Sequence, residues 1–218
     1  MSITNSEISG LFKRNFTKQF NNLVCKHVKT GFAMFHRLKI ENRTFFDGFD
    51  KGNALQSHLL KFAIEKEVAN SAFTPASSHK SLVGKLNEYG YNGLFLRTDD
   101  FVVTLSKTHK PMTLPPISQY RKQLSETNGE LATQLRLDFD GYVIDEEFKY
   151  AIITYGRDAN FELSHLNILT PEPNYSGTIK DLSVNILRDD NLVVMPDAIT
   201  DEQLSTLKDE LQTKLKHG

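Results

Sequence analysis

Cysteine occurs once in this chain of 218 residues and tryptophan not at all. A single thiol, Cys25, cannot close an internal disulfide, so nothing points to an oxidising compartment. No apolar run approaches the roughly 18 residues of a membrane span. The opening MSITNSEISG is polar and lacks the basic start and apolar run of a secretory signal. These shortages lead to the expectation of a soluble cytoplasmic protein with no membrane partner.

The motifs of cofactor chemistry are missing as well. There is no GxGxxG and no GxxxxGK[ST], and the glycines are scattered at turns, which removes most of the case for nucleotide-dependent chemistry. GxSxG and HExxH are absent. The seven histidines include no pair three or four apart, and one cysteine cannot build a thiolate zinc site. No metal and no cofactor is expected.

Charge is plentiful and unevenly placed. Residues 1–43 carry eight Lys/Arg against two acids, a balance of +6, whereas residues 138–202 carry fourteen acids against four bases, a balance of −10. Such segregation fits a polyanion-binding end, attraction between the two ends within or between chains, or solvated faces alone. Hydrophobic residues make up 39% and include fifteen Phe, enough to build a core from Phe, Leu, Ile and Val.

Periodicity predicts the elements. Ile8, Phe12, Phe16, Phe20, Leu23 and Val24 share one face of a helix over residues 6–29, with Gly31 as its stop. That stripe faces either a core or a partner. Residues 36–46 read as extended. A second helix spans 54–69 with Asn53 as its cap, and a short third one spans 81–89. LFL and FVVTL, flanking Thr98-Asp99-Asp100, read as a hairpin. ISQYRKQL reads as one or two helical turns, and 134–169 as a β-meander with YAIITY as its central strand and a bulge near Ser164-His165. LSVNIL and LVVM suggest another hairpin. Thr200 and Gln203 form a capping box, opening a closing helix with Leu204, Leu207, Leu211 and Leu215 on one face.

The fold expected is α+β: one domain over 1–218, helical to about 90, antiparallel and β-rich over about 91–196, then a closing amphipathic helix over about 200–216.

Two groups of residues offer chemistry. Glu147-Phe148-Lys149 with Asp138 or Asp140 matches the acid-plus-ExK pattern of metal-dependent nucleases, in which carboxylates hold a divalent ion and the lysine activates water. Its place at a hairpin tip favours a polar turn instead. Arg37, Lys39 and Arg43, and then Lys107, Lys110, Arg121 and Lys122, are candidate nucleic-acid contacts, since clustered cations release counterions on binding. The leading reading is a non-enzymatic interaction or regulatory protein that binds a protein partner or itself, through the Phe-rich helix or opposite charges. The alternative is a nucleic-acid-acting protein, either a basic-patch binder or a nuclease.

Overall fold

The apolar spacing of the chain resolves into five helices and eight strands among the described residues. The structure is a computed structural model and describes residues 5–43, 52–70, 80–85, 92–129, 137–139, 142–144, 147–188, 195–196 and 198–217. They group into two compact units, Met1–Asn22 with Ala72–Leu192, and Leu23–Ser71 with Val193–Gly218.

The first unit is built on a six-stranded sheet. In chain order its strands are β1 (Lys80–Lys85), β2 (Asn92–Arg97), β3 (Phe101–Lys107), β6 (Lys149–Arg157), β7 (Leu163–Pro171) and β8 (Thr178–Asn185), and they lie side by side in that same order. Strands β4 (Leu137–Phe139) and β5 (Tyr142–Ile144) form a separate two-stranded sheet. Every neighbouring pair is antiparallel except β3 and β6, which run parallel from Phe101↔Lys149 to Lys107↔Tyr155. A parallel pair requires a long crossover. Residues 108–148 supply it and contain helix α4 (Gln119–Glu126) and the β4–β5 pair.

The central strands β3 and β6 are buried along almost their whole length. On one face Phe95, Val102, Tyr150 and Ile152 join Leu124 of α4, with Leu114 and Tyr120 packed against them. On the other, Phe12 and Phe16 of helix α1 (Asn5–Asn15 and the residue after it) meet Phe101 at ring-centroid distances of 6.2 and 4.9 Å. Phe12, Phe16 and Phe20 are all buried, so the Phe stripe faces core, which removes it as a partner surface. Asn15 and Arg14 close this end of the unit on the Asp100 carboxylate.

The second unit is helical. Helix α2 runs Lys18–Glu41, α3 Gly52–Asn70 and α5 Asp201–His217. Val28, Phe32, Phe35, Ile64, Val68, Leu204 and Leu207 are its buried apolar side chains of note. Gly31 lets α2 and α3 approach closely, because a Cβ there would lie 2.6 Å from the Ile64 Cα.

The α+β class and the closing helix are as the sequence predicts, down to the capping box: the Thr200 N–H donates to Gln203 Oε1 and the Gln203 N–H to Thr200 Oγ1. The β2–β3 hairpin, α4 and the bulge opposite Gly156 are also present. Three expectations are overturned. The first helix is interrupted at Phe16–Thr17, and α2 continues through Gly31 to Glu41, so residues 36–41 are helical rather than extended. Residues 81–85 are strand β1, not helix. The meander is divided, since β4 and β5 leave the main sheet and β6 pairs with β3. The LVVM strand expectation falls mainly outside the described residues.

Candidate functional site

The parallel pair ends at one edge of the sheet, and the side chains change character there. Moving along the strands on the α4 face, the row Val102–Tyr150 gives way to the row Ser106–Thr154–Asn167–Asn185, which crosses β3, β6, β7 and β8 in register. Ser106, Thr154 and Asn167 are buried, and Asn167 Nδ2 donates to Thr154 Oγ1 at 3.1 Å. Arg121 of α4 donates to Ser106 Oγ at 3.0 Å and to the Pro116 carbonyl at 2.8 Å, with its guanidinium 5.0 Å from the Tyr120 ring centroid.

One step further along lies His165. Its Nε2 is 2.9 Å from Thr108 Oγ1 and its Nδ1 is 3.1 Å from Ser164 Oγ. The imidazole is buried against Gly156, its cross-strand partner, where a side chain would overlap the ring. Burial lowers the His165 pKa and favours the neutral ring. Ser164 is the extra residue of the bulge, opposite the Gly156/Arg157 step, and it is exposed.

Cations frame this edge. Lys107 ends β3 and is half-buried; burial, and then the nearby charge of Arg157, lower its pKa. Arg157 ends β6 and lies 3.5 Å from the Phe161 ring centroid, a cation–π contact of about 0.5–2 kcal/mol. Phe161 is held at φ 65 to receive it. The neighbouring Asp158 carboxylate turns inward onto the N–H groups of Asn160 and Glu162 at 2.9 and 2.8 Å. His109 and Lys110 follow β3 and are exposed. Two cations held together at the carboxyl ends of adjacent parallel strands create a positive potential suited to an anionic group.

The basic candidates therefore divide. Lys107, Lys110, Arg121 and Lys122 belong to the sheet unit, with Arg121 and Lys107 both at the end of β3 and Lys122 exposed on α4. Arg37, Lys39 and Arg43 belong to the helical unit. There Arg37 is tied to Glu41, to Asp201 and to the Ile199 carbonyl. Arg37–Asp201 joins the basic front of the sequence to its acidic back.

Of the nuclease-like set, Asp138 lies in β4 and Asp140 falls outside the described residues. Glu147 is exposed just before β6. Lys149 is buried, and its ammonium donates to the carbonyls of Thr127 at 2.7 Å and Gly129 at 3.2 Å, so it caps the C-terminal turn of α4. Among the described residues no cluster of His, Cys, Asp or Glu is arranged to hold a metal ion. Cys25 is fully buried and burial raises its pKa, the reverse of thiolate activation.

Sequence reasoning missed Thr108, Arg157, Ser164 and His165 as members of one edge. The available signal was polarity inside buried strands: Thr154, His165 and Asn167 interrupt otherwise apolar runs. No protein-family model matches the chain, and neither a curated protein nor a solved structure matches it. Among the described residues no helix is long and apolar enough to cross a membrane.

Proposed function

We propose that this chain is a cytoplasmic, non-enzymatic interaction protein that self-associates through opposite charges, the cationic sheet edge of one copy receiving acidic surface of another. The observation that carries this reading is the proximity of Lys107, the last residue of β3, to Arg157, the last residue of β6. The acidic counterpart is the exposed carboxylate set of the same chain, which includes Glu147, Asp181 and Glu202.

Sedimentation velocity over a concentration series tests the proposal. At low salt the weight-average mass should rise with concentration, and Lys107→Glu with Arg157→Glu should abolish the rise. A monomer at every concentration would sink it. Clustered cations also favour a second reading, nucleic-acid binding by the same edge. It requires an oligonucleotide affinity that falls steeply with salt; absence of binding at low salt removes it.

A further inference from the structure

A second feature of the sheet unit lies away from that edge. An open cavity of about 600 Å³ runs beside the start of edge strand β8. That volume is within the range of small-molecule sites, roughly 300–1,000 Å³. Ile8, Pro173 and Ile179 give it an apolar wall, and Glu172 and Lys180 bring opposite charges to it. Those two side chains are not paired with each other among the described contacts. Glu172 accepts the Ser176 hydroxyl, and Lys180 is exposed.

The frame is rigid. The turn from Glu172 to Gly177 is closed by Glu172 N–H to the Gly177 carbonyl and Tyr175 N–H to the Glu172 carbonyl, both at 2.8 Å. Tyr175 is held at φ 60, an unusual backbone for a bulky residue. The core secures it: the ring is buried and its hydroxyl donates to the Pro115 carbonyl. Behind the cavity, Asn128 donates to the Tyr150 and Pro171 carbonyls, and Ser125 Oγ to the Pro173 carbonyl. Positions held this firmly are pre-organised, which lowers the entropic cost of binding.

We propose that this cavity binds a free amino acid with an apolar side chain, its ammonium toward Glu172, its carboxylate toward Lys180 and its side chain against Ile8 and Ile179. Charges of opposite sign beside an apolar wall favour a zwitterion. Acids lacking the ammonium meet Glu172 unfavourably, and amines lacking the carboxylate meet Lys180 unfavourably.

Calorimetric titration of the full chain with L-leucine, N-acetyl-L-leucine and L-leucinamide separates the contributions. L-leucine should bind, and each blocked analogue should bind at least about tenfold more weakly, the scale of one lost charged contact. Glu172→Gln and Lys180→Gln should each weaken L-leucine by a similar factor. An absence of heat with L-leucine at millimolar concentration, equal binding of the blocked analogues, or unchanged affinity in both variants would each overturn the assignment. Self-association plays no part in this site, so Lys107→Glu with Arg157→Glu should leave the titration unchanged.

Discussion

His165 has both ring nitrogens engaged, a glycine beneath it and two cations at the same edge, so its chemistry is set by what surrounds it. The absence of a side chain at Gly156 is what admits the ring. Gly156→Ala should therefore cost about 1–3 kcal/mol, the usual scale of overpacking, as measured by denaturant unfolding. The same substitution made in a His165→Ala background should cost much less, because the overlapped ring is gone; equal costs in both backgrounds would separate Gly156 from His165. The protonation of this histidine carries a sign. Burial holds its pKa below the ordinary value of 6.5, so between the two values the unfolded chain binds more protons. Stability is then level above about pH 7 and falls as the pH drops from about 6.5 toward the folded value. Unfolding midpoints at about pH 7.5 and 5.5 should differ more for the natural chain than for His165→Gln. An identical pH slope in the two proteins would show that His165 does not couple to folding.

Helices and strands that declare their own ends are the ones the sequence makes legible. The Thr200–Gln203 capping box is a local code, and α5 starts where that code places it. Thr200→Ala should lose about 1 kcal/mol, measured by thermal or denaturant unfolding, since it removes one cap acceptor. Gly31 shows how a local signal fails. Glycine is a common helix stop, yet here it lies inside α2 because a neighbouring helix needs the space its missing Cβ leaves. Gly31→Ala sets two effects against each other. Alanine gains about 1 kcal/mol in helix propensity. The new methyl, however, meets backbone at Ile64, which cannot rotate away, and overpacking of that kind costs about 1–3 kcal/mol or more. Net destabilisation by denaturant unfolding is expected, and a more stable variant would mean that α2 and α3 separate easily. Other misreadings share this origin. Strand β1 is defined by its pairing with β2, and β6 by a parallel partner more than forty residues away, neither of which a short window contains. The candidate site was only half legible for the same reason. Lys107 could be singled out as a cation, but its neighbour Arg157 comes close only because β6 pairs with β3, two residues beyond the pair Lys107↔Tyr155.

Across the whole molecule, part of the charge is spent in ion pairs inside the two units, though of these only Arg37–Asp201 joins the basic front to the acidic back. Arg14 pairs with Asp100 at 2.8 Å in the sheet unit, and Lys208 with Glu41 at 2.7 Å in the helical one. Arg37 joins Asp201, and Lys66 joins Glu210. Most of these groups are exposed, and exposed pairs contribute about 0–1 kcal/mol each and are screened by salt. They do not hold the fold, which rests on buried Phe, Ile, Val and Tyr. The cationic edge is different, because the proposed contact there is intermolecular and depends on several charges acting at once. Salt should therefore separate the two roles. Raising the salt from about 0.05 to 0.5 M shortens the screening length from over 10 Å to about 4 Å. In dilute protein, where mass action cannot link association to unfolding, the melting temperature should move by only a few degrees. In concentrated protein the same step should return the sedimenting mass to that of the monomer. A large fall in the melting temperature of the dilute protein would place these charges in the stability of the fold. An associated mass that survives the higher salt would mean that apolar surface, and not opposite charge, brings the copies together.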